Sequence, residues 1–131
     1  MKVVLSLVAI TAAAAATNPI VVANCSGGQV QYQGIEREGV EIFFNIPYAQ
    51  DTGGKNRFKP PRSFSPVPGT IYDATKAGPA CPQSLGQWNV PLTLNNITEI
   101  SENCLNLNIA RPKSNGTRTA YPVMVWIHGG K

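Results

Sequence analysis

Residues 122–130, Pro-Val-Met-Val-Trp-Ile-His-Gly-Gly, carry the clearest fold signal in this chain of 131 residues. Residues 123–127 form a short apolar run rich in β-branched and aromatic side chains, which is typical of a buried parallel strand. His128, Gly129 and Gly130 follow at the carboxyl end of that strand. Because ligands in open α/β sheets bind beyond the carboxyl ends of strands, the pattern predicts a functional loop at these last three positions.

Residues 1–16 have the composition of a secretory signal peptide. Lys2 supplies a positive start, residues 3–10 form a short apolar segment, and residues 14–16 are three alanines, as a signal-peptidase site requires. A transmembrane helix is the competing interpretation, but the apolar stretch is too short to cross a bilayer. The sequence therefore predicts a secreted protein, with residues 17–131 belonging to one domain and no transmembrane segment.

The formal net charge of +4 does not by itself indicate an anionic partner. Positive side chains cluster at Lys55, Arg57, Lys59 and Arg62, but prolines and a phenylalanine interrupt them and no nucleic-acid motif accompanies them. We interpret the cluster as a solvated loop face and expect no nucleic-acid partner. No residue pattern predicts a metal site or a cofactor.

Cys25, Cys81 and Cys104 are the three cysteines of the chain. A secreted chain is expected to form a disulfide, and three single pairings are possible here. Sequence spacing alone does not choose among them.

Three Asn-X-Ser/Thr sequences, at Asn24, Asn96 and Asn115, are candidate glycosylation sites and agree with a secretory route. The site at Asn24 is the least favourable of the three. Cys25 occupies its middle position, where it could be bridged or buried.

Apolar alternation and turn residues predict a chain made mainly of strands. We expect strands at residues 20–23, 29–34, 40–44, 71–74, 104–110 and 123–127. Glycine-containing turns near 26–28 and 37–39 make the first three an antiparallel meander or a pair of hairpins. The strand at 71–74 is expected at a sheet edge, the last two strands are expected to be neighbours, and 123–127 is expected to be the most buried.

Five segments follow one another in a distinctive order. They are FFNIPYA (43–49), NRFKPP (56–61), ACPQS (80–84), SENCLNLNI (101–109) and PVMVWIHGG (122–130). In this order they resemble the amino-terminal portion of the type-B carboxylesterase and cholinesterase family, and they span most of residues 29–130. The amino-acid sequence around residues 44–47 is most similar to that of fungal secreted esterases and lipases.

The resemblance implies an α/β-hydrolase fold, of which this chain would supply the β-rich amino-terminal portion, an antiparallel meander that leads into the central sheet of a truncated domain. It also implies a disulfide between Cys81 and Cys104. Cys25 is then either a small buried apolar residue or one half of a second bridge to a cysteine outside these residues. The segment enclosed by the bridge would form either an active-site lid or a loop packed on the core.

The same resemblance assigns His128, Gly129 and Gly130 to the oxyanion-hole loop, where the histidine shapes the loop and Gly130 donates an N–H. Lys131 stands where the motif carries a third glycine. It is either a genuine lysine that crowds the site or an artefact of a gene model or fragment that ends at this position, and we favour the second interpretation.

Two other positions depart from the family pattern. Asn45 replaces a common glycine, and Asn103 replaces a common aspartate beside Glu102. The acidic residues at this place in the family tend to pair with basic partners. An asparagine accepts hydrogen bonds but cannot form the same ion pair.

No catalytic triad is present in these residues. No serine lies in a Gly-X-Ser-X-Gly elbow, and the single histidine, His128, belongs to the oxyanion motif. The resemblance implies that the full-length protein hydrolyses small-molecule or lipid esters through an acyl-enzyme, whereas this chain alone, without a triad, is expected to be inactive. A non-catalytic adhesion or binding protein of the same family, and a small secreted domain that works alone, are the alternatives.

Overall fold

The computed structural model describes residues 18–83, 99–113 and 120–127. The predicted signal peptide and the loop 128–130 lie outside the described residues, as do Asn96 and Asn115. Within the described ranges there are six short strands, in two sheets of three, and one 3-10 turn at Gly54–Asn56. The strands are β1 (Ile20–Cys25), β2 (Gly28–Gln33), β3 (Ile35–Arg37), β4 (Val40–Pro47), β5 (Ile71–Asp73) and β6 (Asn106–Pro112).

The first sheet has the strand order β1-β2-β5. β1 and β2 form an antiparallel hairpin in which Cys25 faces Gly28, so the turn consists of Ser26 and Gly27. Gly27 has a φ of 90°, a left-handed conformation that glycine adopts without steric cost. β5 pairs parallel to β2 at the sheet edge, where the sequence predicts a short edge strand.

The second sheet has the order β3-β4-β6, with both pairs antiparallel. Glu38 and Gly39 connect β3 to β4 and both have positive φ, 51° and 80°. Such a two-residue turn matches the twist of a hairpin. Two charge pairs then fasten β6 to this hairpin: Lys113 Nζ lies 2.8 Å from Glu36 Oε2, and Arg111 Nε lies 2.7 Å from Glu41 Oε2.

Of the two expected arrangements, a meander or a pair of hairpins, the structure has the pair of hairpins, one in each sheet. The chain passes from one to the other at Gly34, whose N–H donates to the carbonyl of Pro19 at 2.9 Å. A Cβ at this position would collide with the carbonyl oxygen of Ile42 and the ring of Phe43. Gly34 therefore allows the second sheet to pack closely where the first one ends.

Few side chains are buried in the described part of the chain. The apolar ones are Val30, Phe43, Ala49 and Ala74, and Glu41 is the buried charged residue. The guanidinium of Arg111 lies 5.6 Å from the ring centroid of Phe43 as well as against the Glu41 carboxylate. Glu41 and Phe43 lie on β4, which pairs with both β3 and β6, so β4 is the strand around which the second sheet is organised.

The prediction for residues 123–127 is wrong in this structure. These residues form no strand, and Met124 and Trp126 are 92% and 85% exposed. The predicted neighbour, residues 104–110, forms β6 instead at Asn106–Pro112 and pairs with β4. An apolar run becomes a buried strand only when other strands and helices cover it, and none of the described residues does so.

The Glu36–Lys113 pair gives this sheet a defined pH dependence. Hydrogen bonds from the Lys113 ammonium and the Gly39 N–H lower the pKa of the Glu36 carboxyl below its ordinary 4.5. In turn, the Glu36 carboxylate raises the pKa of Lys113 above its ordinary 10.5. The Glu36 contribution to stability is full above pH 4.5 and is lost as pH falls through its lowered pKa. The Lys113 contribution is full below pH 10.5 and is lost as pH rises through its raised pKa.

We therefore expect Lys113→Met to raise the pKa of Glu36 toward 4.5, measured by NMR titration of the Glu36 carboxyl carbon. Lys55→Met, on the 3-10 turn, is the control and should leave that titration unchanged. An unchanged Glu36 pKa in Lys113→Met would show that the pair does not form in solution.

Candidate functional site

A disulfide lies at the base of the segment that the resemblance places beside the active site. The sulfurs of Cys81 and Cys104 are bonded, with Cα atoms 5.0 Å apart and a separation of 23 positions in sequence. Residues 82–103, here called the bridged loop, leave and return at this bond. The bond thus fixes both ends of the loop, although residues 84–98 are outside the described ranges.

Backbone hydrogen bonds tie the two ends of the bridged loop together as well. Ala80 donates its N–H to the carbonyl of Glu99, and Ser101 donates to the carbonyl of Ala80, both at 2.9 Å. The Asn106 amide reaches back from β6 to the carbonyl of Pro79 at 3.2 Å. The entrance to the loop is therefore held by covalent and hydrogen bonds that do not depend on the conformation of its middle.

A charge pair anchors the carboxyl end of the bridged loop. Arg57 Nε lies 2.7 Å from Glu102 Oε1, and the Thr52 hydroxyl donates to the Glu102 carbonyl at 2.6 Å. Arg57, which the sequence places in a positive cluster on a solvated face, thus has a partner. Asn103, at the position that is often aspartate, donates its N–H to the Ser101 hydroxyl and lies exposed.

A cavity of about 540 Å³ lies between the two sheets at the foot of the bridged loop. Tyr32, Phe64 and Tyr72 form an aromatic wall, with the two tyrosine rings stacked at a centroid distance of 5.3 Å. Partial burial, and then the neighbouring Tyr72, raise the pKa of Tyr32. The Thr75 hydroxyl and N–H lower the pKa of Asp73.

These shifts keep Asp73 ionised and Tyr32 protonated at neutral pH. Neither direction suits a general acid or base, which needs a pKa near the working pH. Within the described ranges no group of three His, Cys, Asp or Glu side chains is arranged to hold a metal ion. Within the described ranges the cavity is a gap between the two sheets, walled on one side by aromatic rings.

The structure explains why asparagine is accepted at position 45. The register between β4 and β6 shifts between Phe43 and Ile46, and at this bulge Asn45 has a φ of 55°. Asparagine tolerates this left-handed conformation better than other residues with a side chain. The Asn108 side chain accepts the Asn45 N–H at 3.1 Å, which fixes the bulge.

The space beside this bulge also depends on a small residue. A Cβ at Gly78 would overlap the side-chain amide of Asn45 and come close to that of Asn106. Residues 45, 78 and 106 thus pack as one unit at the cavity wall. No sequence signal connects them, because the contact joins three separate segments.

Comparison with known proteins identifies the fold that these elements belong to. The profile described as "Carboxylesterase family" matches residues 17–131. The chain belongs to the carboxylesterase family. Its solved relatives include a thermophilic pNB esterase, 35% identical with a TM-score of 0.63 over 83% of this chain, and Aspergillus niger EstA, 32% identical with a TM-score of 0.51 over 73% of it.

The sequence relatives of this chain include a lipase and a protein described as inactive. A secreted lipase of Arthroderma benhamiae is 47% identical over 98% of this chain, and an inactive carboxylesterase-like protein of Byssochlamys spectabilis is 45% identical over 76% of it. The chain spans 22% and 17% of these two proteins. This carboxylesterase-family chain therefore corresponds to about a fifth of its curated relatives, and its described residues are a β-rich part of the α/β-hydrolase fold.

The disulfide and the Arg57–Glu102 pair at the ends of the bridged loop, here called the frame, lie within the described residues, but the predicted oxyanion residues do not. His128, Gly129 and Gly130 lie just beyond the described segment 120–127. The frame itself combines residues that the sequence indicated, Cys81 and Cys104, with a contact that it missed, the pairing of Arg57 with Glu102. Their opposite charges were the available signal, but residues so far apart in sequence cannot be paired from charge alone.

Breaking the disulfide tests how much the frame contributes to folding. For a loop of this length the chain-entropy model gives about 3 kcal/mol, so Cys81→Ala with Cys104→Ala should lower the free energy of unfolding by about that amount. Denaturant unfolding of the whole chain measures it. Cys25→Ala, which removes a thiol that forms no disulfide here, is the matched control and should cost less.

The bulge is tested by Asn45→Ala. Alanine is disfavoured at a φ of 55°, so we expect a loss of about 1 kcal/mol in the free energy of unfolding. Asn45→Gly should lose less because glycine adopts this conformation freely. Equal losses for both variants would indicate that the amide contacts, and not the backbone conformation, determine the preference.

Proposed function

We propose that these 131 residues belong to a secreted serine hydrolase that cleaves carboxylic esters, small-molecule or lipid, through an acyl-enzyme intermediate. The observation that carries the proposal is the 47% identity to a secreted lipase over nearly the whole chain. The pNB esterases among the solved relatives support an ester substrate.

In this reaction a serine oxygen attacks the ester carbonyl, the alcohol leaves with a proton from a histidine, and water then releases the acid. The contribution we assign to this chain is the oxyanion loop His128-Gly129-Gly130 at the end of residues 123–127. Backbone N–H groups in such a loop stabilise the developing oxyanion, each by on the order of 3 kcal/mol. The serine, the histidine base and its acidic partner would come from outside these residues.

The secretory destination rests on the predicted signal peptide at residues 1–16 and on the relative described as secreted. Asn96 and Asn115 are candidate glycosylation sites on this route. Among the described residues there is no helix with the length and apolarity to cross a membrane.

A non-catalytic binding protein is the second candidate. The relative described as an inactive carboxylesterase-like protein is 45% identical, almost as similar as the lipase. This part of the chain therefore does not distinguish a hydrolase from a protein that keeps the fold without the triad, because its residues hold no part of the triad.

Two preparations separate these possibilities: residues 17–131, and the full-length protein obtained from the complete transcript. We expect hydrolysis of p-nitrophenyl butyrate and labelling by a fluorophosphonate only in the full-length protein. A full-length protein that folds but neither hydrolyses nor labels would support the binding protein. Turnover by residues 17–131 above a blank would overturn the view that this chain lacks its own catalytic machinery.

A further inference from the structure

Asn24 occupies an exposed position on the first hairpin. Side chains alternate along β1, so Ile20, Val22 and Asn24 share one face, and all three are exposed. The amide oxygen of Asn24 accepts a hydrogen bond from the Gln29 side chain across the hairpin at 3.1 Å. Its amide nitrogen donates to none of the described residues.

Cys25 lies on the opposite face of β1. It is half-buried, and its thiol lies 3.5 Å from the carbonyl of Gly28, its partner across the hairpin. Since Cys81 and Cys104 are bonded to each other, this chain holds no other cysteine with which it could pair. Within these residues, therefore, the Cys25 thiol is unbridged, and it lies on the opposite face of β1 from the Asn24 side chain, where it does not obstruct a substituent on that asparagine.

The third residue of the Asn-Cys-Ser acceptor sequence is also accessible to a modifying enzyme. Ser26 is exposed and begins the two-residue turn between β1 and β2. The three residues Asn24, Cys25 and Ser26 thus run from the end of an edge strand into a surface turn. A large substituent on Asn24 would extend into solvent without displacing the core around Val30.

We propose that Asn24 carries an N-linked glycan, an inference that rests on the secretory route proposed above. The donor is an oligosaccharide linked through pyrophosphate to a membrane polyprenol. The Asn24 amide nitrogen forms a bond to the anomeric carbon, the bond from that carbon to the phosphate oxygen breaks, and the lipid pyrophosphate leaves with the electron pair. The amide nitrogen gives up one proton, so atoms and charge balance.

The glycan at this position has a physical role. Ile20, Val22 and Ile71 are 52%, 54% and 60% exposed, and the register β1-β2-β5 puts them on the same face as Asn24. β1 is also an edge of its sheet, and no described strand pairs with its outer side. Exposed apolar edges promote association between chains, and a bulky polar substituent there obstructs it.

The test expresses the 131-residue chain in yeast in two forms, one with its own residues 1–16 and one with a yeast secretion leader in their place. Cells and medium are collected together, and glycopeptides are treated with peptide N-glycosidase in heavy-oxygen water, which marks each formerly glycosylated asparagine as labelled aspartate. We expect labelled Asp at position 24 in both forms. Asn24→Gln and Ser26→Ala should each lose one glycan mass, and Ser26→Thr should retain it.

Gln29→Ala is the matched control, since it removes the contact to Asn24 but keeps the acceptor sequence, and it should keep the glycan. Cys25→Ser should also keep it. Modification at Asn96 or Asn115 without modification at Asn24, in either form, would overturn the inference while leaving secretion intact. Modification only with the yeast leader would instead overturn the secretory route on which the inference rests.

A further expected result is lower soluble yield for Asn24→Gln than for Gln29→Ala, and equal yields would overturn the shielding role.

Discussion

The antiparallel pairing of β4 with β6 is the constraint on which the described structure depends. It joins segments that are far apart in sequence, as in the hydrogen bond from Asn45 to Asn108 across 63 positions. Closing so long a loop costs conformational entropy, which the ladder of hydrogen bonds, the Glu41–Arg111 pair and the packing of Phe43 together offset. Once β6 lies beside β4, Cys104 is brought within bonding distance of Cys81.

The frame around the bridged loop follows from that pairing. The disulfide holds one side of the loop entrance, and the Arg57–Glu102 pair holds the other. The pair is partly exposed, so its net contribution is within about 1 kcal/mol, and the covalent bond is the larger of the two effects. Together they fix where the bridged loop leaves and rejoins the described part of the fold.

Strands β1 to β6 form in the structure, whereas the strand predicted at residues 123–127 does not, and the difference has a physical reason. Strands β1 to β6 find partners within the described residues, and the alternating polar and apolar side chains of β2 and β6 suit sheets that are covered on one face. Residues 123–127 are apolar on both sides and require neighbours on both faces and both edges. Their exposure here agrees with a chain that spans about a fifth of its relatives.

The sequence by itself determined the family, the hairpin turns, the edge position of β5 and the identity of the bridged cysteines, because each depends on a local motif or on a matched order of motifs. It misplaced β6 by two residues and gave residues 123–127 a burial that they do not have. Only the tertiary structure decided the division into two sheets at Gly34 and the left-handed bulge at Asn45. These features depend on the approach of distant backbone segments, and no local pattern of side chains records that approach.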